Sequence, residues 1–254
     1  MIRSLMPVLI TQTQSKLERL PSGAAGNNPH AQTSTTQKLG GLRMSNIVIA
    51  APKTRELHLG ITGKSGLICH HFSEKSRRQM QETQAKAAKG PKVARDPEAE
   101  YAGAFYKLEG GGYGFPCAGF KKAAIRAAKM LEGVNMTDAR QMFFVEADDR
   151  DTTGVDCVRI EGTPEMRTDT VRLAKGVADL RYRPEFRDWS CTLKISYDED
   201  LISGSQLVNL FMRAGLQVGV GDWRPEKDGD FGRFLVGEQD VLETGLEPLV
   251  EKAA

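Results

Sequence analysis

The sequence predicts an α+β fold in which an antiparallel sheet carries its helices on one face. Apolar and polar residues alternate over residues 44–62 and, most regularly, over 189–198, as they do in half-buried strands. Residues 118–131 are rich in helix formers, and residues 203–214 carry apolar side chains at helical spacing. With insertions set aside, the elements follow the order β-α-β-β-α-β, which is that of a ferredoxin-like unit.

The middle of the chain supplies the first helix and two strands. The helix at 118–131 is followed by Gly133, a residue type that commonly ends helices. Residues 141–147 and 155–162 are rich in β-branched and aromatic side chains and are predicted to be a strand pair joined by an acidic turn. Residues 163–187 have no regular pattern and are predicted to be irregular.

The last part of the chain completes the predicted unit. The alternating segment 189–198 predicts a further strand. Ser203 is a favoured N-cap residue, and a helix is predicted from it to about Ala214. A glycine-rich loop then leads into a final strand at 231–236.

Changes in composition predict the domain boundaries. Residues 1–43 are rich in Gln, Thr, Ser, Gly and Asn, which predicts a disordered or extended segment. Residues 44–240 are predicted to form one decorated ferredoxin-like domain with a basic insertion at 73–100. Residues 241–254 are predicted to be a tail. Because no window approaches 18 uncharged apolar residues, we expect no transmembrane helix and no membrane partner.

Charge and cysteine content exclude several classes of protein. The net charge is +2, and residues 1–43 carry five basic residues and one acidic residue, which leaves the remainder slightly acidic. A globally basic nucleic-acid binder is therefore excluded, and any polyanion must bind to local patches. The four cysteines lie far apart without a CxxC pair, so neither a zinc site nor a disulfide scaffold is predicted. We expect buried thiols, a cytoplasmic location, and neither metal nor cofactor.

The insertion has an unusual charge. Between Lys75 and Arg95 lie seven basic residues and one acidic residue. Two interpretations stay open: a solvated helix or mobile insertion, and a basic arm that follows a phosphate backbone. The candidate contacts of such an arm are Arg77, Arg78, Lys86 and Lys89.

The loop from Gly219 to Gly232 is the most informative motif. Its glycines let backbone N–H groups approach a ligand closely, and Arg224, Lys227 and Arg233 add positive charge. It is not a Walker A loop, because no Gly-Lys-Ser/Thr follows, and it runs from helix to strand, unlike a dinucleotide fingerprint. A long turn that needs positive φ at several positions is the alternative interpretation.

Two motifs together resemble the RAMP superfamily, the guide-RNA-binding proteins of CRISPR systems. The first is the loop, with its run Gly219-Val220-Gly221, a polar stretch, and Phe231-Gly232 before the last strand. The second is FPCAGFKKAAIR (115–126), which is similar to the family motif Pro-x-Ser-Ser-x-Lys-Gly-x-x-Arg at the start of the first long helix. The resemblance spans roughly residues 55–236.

The resemblance implies an RRM/RAMP-like fold that holds RNA phosphate at a helix N-terminus. It implies phosphate contacts from the loop, including Gly219 and Gly221, and from the helix start. The basic candidates on that helix are Lys121, Lys122 and Arg126. This sequence departs from the motif, since Cys117-Ala118 replaces the serine pair and Lys122 replaces the glycine.

Aromatic residues beside cations are the candidates for base stacking, which holds single strands without sequence preference. Tyr113 and Trp223 are favoured because both lie in glycine-rich segments. For Phe115, Phe120 and Trp223, core packing is the alternative.

His70, His71 and the acidic cluster are candidates for chemistry. Some relatives in the resembled family cleave RNA with a histidine in this region, although a solvent-facing or buried structural role is the alternative for both residues. The acidic residues could bind Mg²⁺ or could serve turn formation, and the turn is favoured. They are Glu146, Asp148, Asp149 and Asp151.

The leading prediction is a non-catalytic protein that binds single-stranded RNA or DNA and self-associates along the strand into a homo-oligomer or filament. Two alternatives stay open. One is a structural assembly subunit of a virion or scaffold. The other is a metal-independent endoribonuclease that uses His70 or His71.

Overall fold

The computed structural model describes residues 50–72, 77, 80–82, 84–85, 95–172 and 178–245. Within them the strands are β1 (Thr54–Gly63), β2 (Leu67–Ile68), β3 (Tyr106–Lys107), β4 (Tyr113–Pro116), β5 (Phe143–Glu146), β6 (Asp149–Arg150), β7 (Asp156–Ile160), β8 (Pro164–Arg172), β9 (Ala178–Phe186), β10 (Ser190–Asp198) and β11 (Phe234–Gly245). The helices are α1 (Pro97–Gly103), α2 (Cys117–Ala128), α3 (Met136–Met142) and α4 (Gly204–Arg213). The predicted N-terminal segment 1–43 lies outside the described residues, as do Arg78, Lys86 and Lys89.

The main sheet has the strand order β11-β1-β10-β5, and every neighbouring pair is antiparallel. Along the chain, β1 precedes α2, β5 and β10 follow it, and α4 lies between β10 and β11. The predicted α+β class with an antiparallel sheet is therefore confirmed.

The core lies between one face of the main sheet and the helices α2 and α4. Leu57, Leu59 and Ile61 alternate along β1 with partly exposed residues, and all three are fully buried. Phe120 of α2 and Phe211 of α4 are completely buried in the same cluster. Burying a side chain of this size contributes about 1.5–3 kcal/mol, so this layer holds the sheet and helices together.

Two smaller sheets accompany the main sheet. One has the order β3-β4-β7-β6, and the other has the order β2-β9-β8. The second is largely a two-stranded ribbon, because β2 contributes only the pairs of Leu67 and Ile68 with β9. None of the helices in the described part of the chain has the length and apolar character needed to cross a membrane.

The prediction of an irregular segment at 163–187 is wrong, since its described residues form β8 and β9, which pair along their whole length. Charged side chains occupy one face of this ribbon. Asp169 accepts from Arg167 at 2.8 Å and from Arg183 at 2.7 Å. Residues 180–186 (LRYRPEF) do alternate between apolar and charged side chains, so a strand signal was present in the sequence and was missed.

The prediction that 141–147 and 155–162 pair with each other is also wrong. Both segments contain strands, but β5 pairs with β10, and β7 lies between β4 and β6. One of the two partners of β7 is β4, which lies within a glycine-rich stretch that the sequence did not indicate as strand. Asn135 caps the short helix α3, which the sequence did not predict, by accepting from the N–H groups of Thr137 and Asp138 at 2.9 Å each.

The second predicted helix and the final strand are present with changed limits. Ser203 and Gln206 form a capping box at the start of α4, which satisfies N–H groups that a helix start leaves unpaired. A π-helical turn (Ala214–Val218) follows α4 directly. The last strand begins at Phe234, not at 231, and continues to Gly245, past the predicted domain end at 240.

Candidate nucleic-acid interface

A cleft of about 230 Å³ lies between the start of α2 and the glycine-rich loop, and we call it the α2–loop cleft. Gly119, Lys122 and Arg126 of α2 line one wall. The loop supplies a second wall through residues 219–222 and Arg224. The two motifs that the sequence singled out therefore lie side by side.

A third wall of the α2–loop cleft comes from segments that the sequence did not connect with it. His70, just after β2, and Tyr106 of β3 both line the cleft. The segment at β2 is held to the loop because the N–H of Asp222 donates to the carbonyl of Ile68 at 3.0 Å.

The loop closes on itself at its base, and glycine is required there. Val220 donates to the carbonyl of Gly232 at 2.9 Å, and Gly232 has φ of 64°. A Cβ on Gly232 would lie 1.7 Å from the carbonyl oxygen of Val220, which no side chain can tolerate. Gly219 and Gly221 also have positive φ, 71° and 78°. The glycines thus define the turn, as the alternative interpretation of this motif proposed.

Most backbone N–H groups of the loop bond within the protein. Gly219 donates to Ala214, and Phe231 donates to Trp223, at 2.8 and 3.0 Å. Within the described part of the chain, the N–H groups of Gly221, Trp223 and Arg224 have no hydrogen-bond acceptor. The loop therefore offers a ligand fewer N–H groups than its glycine content indicates.

Helix α2 begins without a side-chain cap. Its N-cap residue is Pro116, and no side chain accepts from the first N–H groups. These groups carry the positive end of the helix dipole, which favours an anion. Gly119 lets this end pack closely on Phe115, since a Cβ at Gly119 would lie 2.4 Å from that ring.

Cys117 occupies a position where the resembled motif has serine, and it does not face the cleft as a ligand would require. Its side chain is buried, and Sγ donates to the carbonyl of Glu146 at 3.5 Å. Burial raises the pKa of this thiol to about 12. The serine contact of the motif is therefore absent here, and backbone N–H groups and cations remain.

Three cations border the α2–loop cleft. Lys122 is exposed and makes no ion pair within the described residues. Arg126 and Arg224 both form ion pairs with Glu226, and Arg224 Nη1 also donates to the carbonyl of Gly221 at 3.0 Å. Because one carboxylate serves two guanidinium groups, this part of the cleft keeps a positive excess.

His70 is held at the cleft by a carboxylate. Its Nδ1 lies 3.0 Å from Oδ2 of Asp222, and the same oxygen accepts from Nη1 of the buried Arg183 at 2.6 Å. Burial raises the pKa of Asp222, but the hydrogen bonds and charges of His70 and Arg183 outweigh it and leave that pKa below its usual value. Asp222 is therefore ionised at neutral pH.

Two aromatic rings of the loop lie against arginines of the β8–β9 ribbon. The guanidinium of Arg183 is 5.7 Å from the centre of the Trp223 ring, and that of Arg167 is 4.5 Å from the centre of Phe231. Trp223 is a non-glycine residue at φ of 55°, and 41% of it is exposed. This tryptophan therefore presents an accessible ring, and it is not among the residues that line the α2–loop cleft.

Lys121 and Tyr113 are predicted site residues that the structure separates from the cleft. Lys121 Nζ lies 3.8 Å from the ring centre of Phe144, at the β5 edge of the main sheet, and burial lowers the pKa of this amine. Tyr113 stacks on Phe105 with ring centres 4.6 Å apart and contacts Phe186. One face of Tyr113 is thus covered, which corrects the expectation of an open stacking platform.

The remaining basic candidates lie at the ends of the loop or far from it. Lys227 is exposed at the end of a 3-10 turn (Pro225–Lys227), and Arg233 Nε donates to the carbonyl of Asp230 at 3.3 Å. Arg77 donates to Thr153 Oγ1 at 3.2 Å. None of these three side chains lines the α2–loop cleft.

The acidic cluster serves turn formation, as the sequence analysis favoured. Asp151 is 1% exposed and accepts from the N–H groups of Thr153 and Val155 at 2.9 and 2.8 Å. Asp149 accepts from the N–H of Gly110 at 2.8 Å. Among residues with described positions, no group of three or more metal-binding side chains occurs.

His71 is buried beside this cluster, not at the cleft. Its Nε2 lies 3.2 Å from both Oδ2 of Asp151 and Oγ1 of Thr153, and its ring packs edge-on against Tyr106. The two adjacent histidines therefore face different surroundings, as expected for neighbours in extended chain.

Sequence reasoning missed Tyr106 and Asp222 as parts of this region, and it did not connect Arg183 with the loop. Asp222 stands in the loop motif, so its position was a usable signal. Arg183 lies in the segment predicted to be irregular, and Tyr106 precedes the glycines of residues 110–112 without a recognisable pattern. Only tertiary contacts bring these two to the loop and the cleft.

Comparison with known proteins finds similarity among solved structures. No protein-family model matches the sequence, and no curated protein matches it. Among solved structures, the chain is similar to a chain in a cryo-EM structure of the type III-B Cmr-beta bound to cognate target RNA, with 10% identity and a TM-score of 0.39. The match covers 76% of this chain and 61% of that chain, so this chain spans less than two thirds of its neighbour's length.

Proposed function

We propose that this chain is a non-catalytic protein that binds single-stranded RNA or DNA in the α2–loop cleft. The observation that carries the proposal is the meeting of an uncapped helix start with the glycine-rich loop around one positively charged cleft. A helix N-terminus favours an anion through its free N–H groups and its dipole. The ligand that suits such a cleft is therefore a single-stranded nucleic acid, whose backbone carries phosphates.

Lys122, Arg126 and Arg224 would neutralise phosphate at this cleft. Lys122 has no competing carboxylate among the described residues, so its charge is available to a ligand. Arg126 and Arg224 share Glu226, and a phosphate could take over part of that pairing. Such contacts are independent of sequence, which suits a protein that binds strands by their backbone.

Trp223 would stack on a base of the same strand. Its ring is exposed, and the guanidinium of Arg183 supports it from the protein side. Stacking on an aromatic ring contributes about 1–3 kcal/mol per base and tolerates every base. The proposal thus keeps Trp223 as the stacking residue and leaves Tyr113 out.

The fold part of the proposal is a ferredoxin-like, RAMP-related unit made of β1, α2, β5, β10, α4 and β11. Two features support it. The elements follow the order β-α-β-β-α-β along the chain, and the sheet order β11-β1-β10-β5 places the fourth, first, third and second strands of this unit side by side. In such a unit, the glycine-rich loop and the start of α2 meet at one end of the sheet.

Self-association along the strand belongs to the same proposal. The outer edges of β5 and β11 are unpaired within the described residues, and free edges can bind a neighbouring strand. Light scattering with and without nuclease distinguishes self-association along a strand from the alternative of a virion or scaffold subunit. Particles that dissolve on digestion support strand-templated assembly, and particles that persist support the scaffold.

Cleavage of RNA without a metal is the second candidate function, favoured by one observation. His70, Tyr106 and Lys122 line the same cleft, and Asp222 orients the histidine. Such groups can transfer protons to and from a reacting hydroxyl. Incubating labelled RNA with the protein in EDTA tests it: shortened products that His70→Ala abolishes support cleavage, and intact strands support the binding function.

Gel retardation of labelled single strands tests the leading proposal. At low salt, the wild-type protein should retard RNA or DNA, and Lys122→Ala should weaken binding about tenfold because a charged contact is lost. Lys129→Ala, an exposed lysine just beyond the other end of α2, is the matched control and should leave the affinity unchanged. Failure to retard either strand would refute the proposal.

A further inference from the structure

We infer that His70 accepts a hydrogen bond from the ribose 2′-hydroxyl of the bound strand, so that the α2–loop cleft selects RNA over DNA. The inference rests on the proposed function, since it requires a strand in the cleft, and it specifies the substrate class of that same site. Its evidence is the arrangement of His70, Asp222 and Arg183 beside the phosphate-binding groups.

One ring nitrogen of His70 is left without a partner at the cleft. The residue lines the cleft, and 42% of its side chain is exposed. Nδ1 is engaged with Asp222 at 3.0 Å. Nε2 has no hydrogen-bond partner among the residues that the structure describes.

The carboxylate fixes which nitrogen carries the proton. Asp222 is held by its own N–H, which donates to Ile68, and by Arg183, whose side chain is 4% exposed. An ionised carboxylate can only accept, so Nδ1 of His70 must donate to it. In the neutral ring Nε2 then carries the lone pair, and the partner it needs is a donor.

The sugar–phosphate backbone contains few groups that can donate a hydrogen bond to Nε2 of His70. Phosphate oxygens accept hydrogen bonds and do not donate them, so a neutral Nε2 gains nothing from a phosphate. The 2′-hydroxyl is the donor nearest to a phosphate in the sugar–phosphate backbone, and DNA lacks it. With phosphate at Lys122 and the start of α2, the adjoining ribose lies within the cleft that His70 borders.

The other described histidines do not have this arrangement. His71 is 8% exposed, and its Nε2 faces Asp151. His58 Nε2 is hydrogen-bonded to Glu56 Oε1 on the main-sheet face opposite the buried Leu57 and Leu59. His58 is therefore a suitable control position.

Binding of matched strands tests the inference. Fluorescence anisotropy would compare RNA, DNA and fully 2′-O-methyl RNA of one sequence, with wild type, His70→Ala and His58→Ala. Wild type should bind RNA roughly three- to tenfold more tightly than DNA or 2′-O-methyl RNA, the effect of one hydrogen bond whose loss leaves an acceptor unpaired. His70→Ala should remove this preference, so that RNA, DNA and 2′-O-methyl RNA bind with equal affinity, and His58→Ala should retain it.

Lys122→Ala is the control for the loss of a charged contact, and it should weaken RNA and DNA binding by the same factor. Circular dichroism of each variant verifies folding, and His70→Asn provides a second replacement of similar polarity. Equal affinity of the wild type for RNA and DNA, or a preference that survives in both His70 variants, would overturn this inference alone. Failure of the wild type to bind any strand would overturn the proposed function as well.

Discussion

Arg126 of helix α2 forms an ion pair with Glu226 of the glycine-rich loop, 100 residues further along the chain. This pair joins the two walls of the α2–loop cleft. Glu226 also accepts from Arg224 Nε at 3.0 Å, so the carboxylate partly neutralises the surface that we propose for phosphate.

Replacing Glu226 tests whether the carboxylate competes with a ligand. Glu226→Gln should raise affinity for single strands about threefold or more, because two guanidinium groups lose their negative neighbour. The folded state should lose at most about 1 kcal/mol, since Arg126 and Glu226 are partly exposed. Anisotropy titration and thermal unfolding measure both effects. Weaker binding by Glu226→Gln would indicate that the carboxylate contacts the ligand itself or holds the loop in shape.

The base of the loop should not tolerate a side chain. Gly232→Ala combines positive φ with a Cβ 1.7 Å from the Val220 carbonyl and should cost well over 2 kcal/mol of unfolding free energy, above the roughly 1–2 kcal/mol of backbone strain alone. Gly111→Ala is the control, because its φ of 84° is also positive but no atom lies within 4 Å. Urea unfolding compares them, and equal losses would contradict the loop geometry.

Asp222 should contribute to acid sensitivity. Its pKa in the folded state is below its usual value, so near pH 4 and lower the unfolded chain takes up a proton that the folded chain does not. Its contribution to stability is therefore complete at neutral pH and declines as the pH falls toward the folded pKa. Asp222→Asn should destabilise the protein by about 1–3 kcal/mol at pH 7 and reduce the loss on acidification.

Urea unfolding at a series of pH values measures this contribution. The exposed Asp188→Asn serves as the control and should follow the wild type. A wild type and an Asp222→Asn variant that lose the same stability between neutral and acidic pH would contradict the role of Asp222.

The four thiols should be unreactive in the folded protein. Cys69, Cys117, Cys157 and Cys191 are all buried and free, and burial raises the pKa of each, to about 12 for Cys117 and Cys157. Ellman's reagent should therefore label them slowly in native buffer and completely in denaturant. Rapid native labelling of any one of them would contradict the core packing.

Local patterns were sufficient for the elements that form the main sheet and its helices. The alternation of residues 189–198 lies within one strand, and the Ser203 cap lies within one helical turn. The structure has the predicted strand and the predicted helix at these positions. The proximity of the glycine-rich loop to the start of α2 could be inferred from the places of these two segments in the predicted β-α-β-β-α-β order. These features depend on spacing, which a sequence displays directly.

Long-range contacts explain what could not be predicted. In the β8–β9 ribbon, Asp169 forms an ion pair with Arg183, 14 residues further along the chain, and the alternation of residues 180–186 does not indicate this partner. Tyr113 belongs to an aromatic cluster with Phe105, although its glycine-rich surroundings indicated exposure. The partner that orients His70 is 152 residues away in sequence.

The salt dependence of single-strand affinity tests the phosphate-binding cleft most directly. Each phosphate neutralised on a single strand contributes about 0.7 to the slope of log affinity against log salt concentration. We predict a clearly negative slope for the wild type, a slope smaller in magnitude by about 0.7 for Lys122→Ala, and a wild-type slope for Lys129→Ala. Identical slopes for all three proteins, or affinity independent of salt, would contradict phosphate binding at the start of α2.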